Sequence, residues 1–338
     1  MPLYERFLRP ILFAMDPERA HEISIATLKT LSRLPWLLDV LGRPADQRLN
    51  RKVFGIQFPN PIGLAAGFDK NGMALPAWAA FGFGFIEIGT ITAQRQVGNS
   101  RPRIFRIPER EALINRLGFN NQGVESIAVR LEQLRRSSNW PKIPVGVNIG
   151  KSKIVPLEEA ATDYLRSFRR LQELGDYFVL NVSSPNTPGL RKLQEKAAIG
   201  ELFGTIQQQN QGKPLLVKIA PDLTLEQLDQ ILVLAEEYQL AGVVATNTTT
   251  DHQTIPENQR QSGGLSGRPL RTRSLAILRH IKTHSPLPVI SVGGIMSEDD
   301  ANERFDAGAE LVQIYTGFIY RGPRLVREIA RSLVRAKK

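Results

Sequence analysis

Eight short apolar, β-branched runs separated by helix-length stretches constrain this chain more than any other feature. They cover residues 62–66, 85–90, 145–149, 178–182, 215–219, 243–247, 289–292 and 311–315. This is the pattern of repeated βα units on a parallel sheet, and the continuously apolar runs suit strands covered on both faces. Each run ends in residues that make poor core but useful chemistry: Ala66-Gly67-Phe68-Asp69-Lys70, Thr90, Asn148, Asn181, Lys218, Thr246-Asn247, Gly293-Gly294 and Tyr315-Thr316-Gly317. A closed barrel gathers all such ends on one rim, where barrel active sites are built. A doubly wound open sheet would scatter them along a crevice. The expected fold is α/β, a (β/α)8 TIM barrel with a small N-terminal helical module, and 338 residues suffice for both.

Residues 1–43 stand outside the βα rhythm. Leu3, Phe7, Leu8, Ile11, Leu12 and Met15 recur at helical spacing beside Arg6 and Arg9. Asp16-Pro17 then predicts an N-cap with proline in the first turn of a second helix, and a third apolar cluster spans Pro35–Leu41. Either a helical hairpin packed on the barrel or an amphipathic module resting on lipid satisfies this pattern. The expected division is 1–43 and 44–338. Two long connections, 90–145 and 248–270, exceed a single helix or turn and are expected to cover or shape the site.

Composition narrows the chemistry. With 42% hydrophobic and 23% charged residues the chain has the makings of a full core. No run of eighteen apolar residues exists, so no membrane span is expected, and no secretion signal is evident. The lack of cysteine removes disulfides, thiolate metal sites, iron–sulfur ligation and a thiol nucleophile. A net charge of +11 favours anionic partners. Its basic residues are spread along the chain without a zinc-finger or RNP-like pattern, so no nucleic-acid partner is expected.

Glycines after the seventh and eighth runs fall where barrels commonly bind phosphate. Asn115, Asn148, Asn181, Asn186 and Asn247, with Thr248, offer donors and acceptors to a polar heterocycle, although each alone suits a turn. Lys218 interrupts an otherwise buried strand and requires a negative partner, which a reduced flavin could supply. Two prolines and a glycine stiffen residues 181–191, where Ser183 or Ser184 could be nucleophile, base or turn hydroxyl. None of His21, His252, His280 and His284 ends a strand, which disfavours a Ser-His-Asp triad and leaves serine as candidate proton acceptor.

These residues, with Asp16-Pro-Glu-Arg-Ala-His-Glu, Asn60 through Gly72, Gly89-Thr-Ile-Thr, Asn115 through Asn121, Asn181 through Arg191, Val217 through Asp222, Ala245 through Thr249 and Gly263 through Leu270, resemble the class 2, quinone-linked dihydroorotate dehydrogenases. The resemblance runs over essentially the whole chain. It implies an FMN enzyme of pyrimidine biosynthesis that oxidises dihydroorotate to orotate and reduces a membrane quinone. Implied FMN contacts are Ala66, Gly67, Lys70, Thr90, Asn148, Asn181, Lys218, Thr246, Gly267, Gly294, Tyr315 and Thr316. Implied substrate contacts are Lys70, Asn115, Arg116, Leu117, Gly118, Phe119, Asn181, Asn186, Asn247 and Thr248. Ser184 would be the base, with Phe119 and Thr187 in its proton route, and His21, Arg106 and Tyr315 would line the inner end of a quinone tunnel. The class further implies peripheral attachment of residues 1–43 to the cytoplasmic face of the cell (inner) membrane, with no obligatory protein partner. Two rivals remain at this level: a flavin-free phosphate-binding barrel acting as aldolase or isomerase, and a noncatalytic membrane-surface scaffold.

Overall fold

The computed structural model describes residues 3–42 and 46–336, so the division expected between 43 and 44 lies outside the described residues. A π-helical turn at Tyr4–Leu8 leads into α1 (Arg9–Ala14), α2 (Pro17–Leu31) and α3 (Pro35–Leu41). Asp16 caps α2 as its sequence predicts, its carboxylate accepting from the N–H groups of Glu18 and Arg19. A hairpin of β1 (Arg51–Val53) and β2 (Ile56–Phe58) follows. Its Phe58 is fully buried against Phe85 and Tyr177 and closes the floor of the barrel.

The barrel begins with β3 (Ile62–Leu64), α4 (Leu75–Ala80) and β4 (Phe85–Ile91). A long excursion then carries β5 (Ile104–Ile107) and β6 (Ala112–Asn115) before α5 (Val124–Arg136) returns the chain to β7 (Val145–Ile149). The rhythm continues through α6 (Ala160–Leu171), β8 (Tyr177–Asn181), α7 (Lys196–Gln207), β9 (Leu215–Ile219), α8 (Leu225–Glu237) and β10 (Gly242–Ala245). A second excursion holds β11 (Gly264–Gly267), after which come α9 (Arg271–His284), β12 (Val289–Val292), α10 (Glu298–Asp306) and β13 (Leu311–Ile314). Helices α11 (Thr316–Arg321) and α12 (Pro323–Ala336) complete the described chain.

All eight expected runs are barrel strands, each within two residues of its expected bounds. Strand β13 pairs in parallel with β3, Val312 beside Ile62, and this contact closes the sheet. Closure rules out the open-sheet alternative and brings every strand end to one rim. The two excursions carry regular structure of their own. Their strands form a three-stranded antiparallel sheet in the order β11-β6-β5, with Asn115 opposite both Ile104 and Gly264. Each strand is only four residues long, and β11 finds its partner about 150 residues upstream, which local periodicity does not reveal.

Helix α2 docks on this outer sheet through a buried ion pair. Arg103 reaches Glu18 at 2.6 Å, and its remaining donors go to the carbonyls of Val97 and Asn99. Arg106 donates to the carbonyls of Phe13 and Met15 and stacks over the Phe13 ring at 4.6 Å, holding the turn between α1 and α2. Breaking a buried pair strands a charge without a counterion. Arg103→Leu is therefore expected to destabilise the chain by about 3 kcal/mol in urea unfolding, with early proteolysis around residues 1–42.

Candidate active site

The rim is organised by a chain of buried hydrogen bonds that starts inside the barrel. Glu87, on β4 and fully buried, accepts from Asn148 Nδ2 at 2.8 Å and Gln313 Nε2 at 2.5 Å. Asn148 accepts in turn from Thr90 Oγ1 at 2.5 Å, and Thr90 accepts from Asn181 Nδ2 at 2.7 Å. Asn181 Oδ1 takes the Ser183 hydroxyl at 3.0 Å, and Asn247 Nδ2 reaches Ser183 Oγ at 2.9 Å. Five strand ends are thereby fixed relative to one another. Lys218 lies 4.0 Å from Glu87, so the buried ammonium has its negative partner within the protein. Burial lowers the Lys218 pKa, and the nearby Glu87 opposes that shift.

Above this network one pocket is lined by Ala66, Gly67, Lys70, Thr90, Asn115, Leu117, Gly118, Phe119, Asn181, Ser184, Asn186, Lys218, Thr246, Asn247, Thr248, Gly267, Gly294, Tyr315 and Thr316. Three expected residues do not line it. Asn148 lies beneath, orienting Thr90. Thr187 is buried with its hydroxyl unpartnered. Arg116 turns its guanidinium outward to the Pro102 carbonyl and Ser262, across the Phe105 ring, so it brings only backbone near the pocket.

The two serines differ in their partners and exposure to the pocket. Ser183 is fully buried and held by two asparagines, whereas Ser184 lines the pocket and only accepts from the Asn186 N–H, at 3.2 Å. Arg191 stiffens this loop further, donating to the carbonyls of Ser183 and Thr248 and pairing with Asp222 at 2.8 Å. Lys70 Nζ donates to the Gly67 carbonyl at 3.0 Å, and burial holds its pKa down at about 8. Its turn is shaped by Asp69, a buried carboxylate that accepts from Met73, Ala74 and the Trp78 indole.

Two glycines form a cradle at the other side. A Cβ on Gly294 would fall 2.4 Å from the Arg271 Cα, and one on Gly267 would fall 2.2 Å from the Glu111 carbonyl oxygen. Both residues have positive φ, 75° and 92°, so only glycine fits without strain. Beneath them Arg304, fully buried on α10, donates to the carbonyls of Gly293 and Arg271 and to Ser274. Burial lowers its pKa to about 10. Within the acidic stretch of α10 this residue reads as surface, and only the packing reveals it. The Oε1 of Gln313, lining the pocket, and the Ser291 hydroxyl are buried and unpartnered. A backbone cradle, adjacent cations and an unsatisfied amide oxygen fit a flat, phosphorylated, hydrogen-bonding ligand.

A second cavity of about 1050 Å³ opens between α1 and α2 and is largely apolar, lined by Leu12, Ala20, Leu28, Phe68, Phe318 and others. His21 and Arg106 also line it, and burial, with Lys70 adding to it, holds the His21 pKa down at about 3. Asn115, Leu117, Ser266 and Tyr315 border both this cavity and the polar pocket. Fold and site together define a barrel enzyme with two ligand compartments on either side of one shared wall.

The model of the family described as dihydroorotate dehydrogenase matches residues 48–336. Relatives named dihydroorotate dehydrogenase (quinone) are 51% identical in Gloeobacter violaceus, over 98% of this chain and 94% of that protein, and 49% in Chloroflexus aurantiacus, over 99% and 97%. The solved structure of the DHODH of Eimeria tenella in complex with ferulenol has a TM-score of 0.87 at 34% identity, covering 96% of this chain and 94% of that one. The chain belongs to the dihydroorotate dehydrogenase family and is a flavin-dependent oxidoreductase. The aldolase, isomerase and scaffold readings fall with that result.

Glu87, which no motif singled out, is the testable keystone. Glu87→Gln keeps the shape and deletes the charge opposite Lys218. It is expected to lower stability by about 3 kcal/mol, read by urea unfolding, and to weaken flavin retention on gel filtration.

Proposed function

We propose that this chain oxidises (S)-dihydroorotate to orotate, with FMN as prosthetic group and a membrane quinone as electron acceptor. The observation that carries this reading is the shared wall: Tyr315, Asn115, Leu117 and Ser266 separate a polar, cation-bearing pocket from an apolar cavity open to the surface. FMN would lie against Ala66, Gly67, Thr90, Asn181, Lys218, Thr246, Tyr315 and Thr316, with its phosphate at the Gly267 and Gly294 cradle. When bound, it supplies a two-electron acceptor for hydride leaving C6 of the substrate.

The protein's own groups do the remaining work. Asn115, Asn186, Asn247 and Thr248 would grip the pyrimidine ring, Asn186 and Asn115 being already joined at 3.2 Å. Lys70 places a positive charge beside the substrate carboxylate. Ser184 Oγ would take the proton from C5 as its own hydroxyl proton leaves along a route beside Phe119 and Thr187. Lys218 stabilises negative charge that develops above it, with Glu87 moderating its own burial. Residues 1–43 act as the quinone-access module, and 44–338 as the flavin barrel.

The access module supports a membrane role by its surface. Leu3, Phe7, Leu8, Ile11, Trp36 and Val40 are all more than half exposed, and Leu3, Leu8 and Ile11 also line the cavity. So much clustered apolar surface suits a lipid interface, and no described helix is long and apolar enough to cross one. We assign attachment to the cytoplasmic face of the cell membrane.

Anaerobic mixing with dihydroorotate is expected to bleach the flavin, and a quinone to restore its colour. Ser184→Ala should slow bleaching by about 10²- to 10⁴-fold with flavin content unchanged; undiminished bleaching removes Ser184 as base. Ala20→Trp fills the apolar cavity and should slow recovery by quinone while bleaching proceeds as before. Deleting residues 1–43 is expected to have the same signature, and a truncated chain reducing quinone at the full rate would refute the division.

A further inference from the structure

On the outer face of the barrel, remote from both cavities, α8 presents Asp229 to two histidines of α9. His280 and His284 stand one turn apart, on the same face of the helix, a spacing that lets two imidazoles share one ion. Their rings are stacked, with centroids 4.0 Å apart and planes at 18°, so the exposed His284 ring has to tilt to bring its in-plane lone pair onto an ion held by His280. His280 Nε2 lies 2.6 Å from Asp229 Oδ1. One ligand atom from each of the three residues can be chosen so that all lie within 4.8 Å of one another.

A second observation points to a ligand. His284 Nδ1 is 2.9 Å from the His280 carbonyl oxygen. A carbonyl can only accept, so Nδ1 donates in this contact, and Nε2 is the nitrogen left to face an ion in the neutral ring. Metal-bound imidazoles commonly show this arrangement, one nitrogen donating to a carbonyl and the other facing the ion. Among the described residues Asp229 pairs with no lysine or arginine, so its charge is not already neutralised by a fixed cation. The two helices are further pinned nearby by Ser285 donating to Glu236 at 2.5 Å. The three residues are therefore close together before any ion arrives, with the His284 ring left to reorient.

We propose that Asp229, His280 and His284 form a divalent transition-metal site of the zinc type, with water completing a tetrahedron. The ion replaces the proton shared by His280 and Asp229 and ties α8 to α9. Those helices lead out of β9, which bears Lys218, and into β12, which delivers Gly293 and Gly294. The site is a staple between two βα units, independent of the oxidation chemistry.

The test uses untagged, flavin-loaded full-length protein titrated with zinc chloride in a calorimeter, with melting followed in parallel. One zinc per chain and a raised melting temperature are expected. His284→Ala and Asp229→Asn should each weaken binding about tenfold or more and remove the melting shift, with dihydroorotate oxidation unchanged. His252→Ala, on a distant rim loop, should bind zinc as the parent does. No saturable binding at about 100-fold excess zinc, or binding that survives His284→Ala, overturns the proposal.

Discussion

A carboxylate sealed inside the barrel is the constraint on which the rest depends. Glu87 sits in a wholly buried strand, where an uncompensated charge would cost several kcal/mol. Two amide donors and the Lys218 ammonium compensate it, and they come from β7, β13 and β9. Asn148 carries the constraint outward to Thr90, Asn181, Ser183 and Asn247. Rim side chains are thus positioned by the interior rather than by their own loops. Such preorganisation lets a site hold a planar ligand without adapting to it.

The other structural decision is the placement of the N-terminal helices. Their apolar faces do not all turn inward onto the barrel, as in an ordinary packed hairpin. Arg103 and Arg106 hold α1 and α2 by ion pairing and backbone contacts at one edge, which leaves a large apolar space beneath. Polar chemistry and apolar access can then approach the same tyrosine from opposite sides. That division of labour follows from geometry, since the residues of the wall belong to β6, its following loop, β11 and the end of β13.

Much of this was legible along the chain. Period and composition located the barrel strands because parallel strands buried on both faces are continuously apolar and their polar ends stand out. The Asp16 cap was legible because it needs only local hydrogen bonds. Less visible were β5, β6 and β11, whose pairing is non-local, and Arg304, whose burial depends on α10 packing over Gly293. Arg116 was assigned to the site because a motif includes whole segments, whereas side chains within one segment can face opposite ways. Its neighbours Asn115 and Leu117 face the pocket and Arg116 faces away.

The amino-acid order by itself determined the barrel and its rim, because eight strands and their polar ends are local patterns repeated in sequence, and its motifs carried the resemblance to the family. Only the tertiary structure decided that Ser184 rather than Ser183 faces the pocket, and that Glu87 is the partner of Lys218. It alone decided that two compartments share Tyr315. The physical reason is that which face a side chain presents, and what opposes it, depends on closing a sheet between residues some 250 positions apart, as Ile62 and Val312 are.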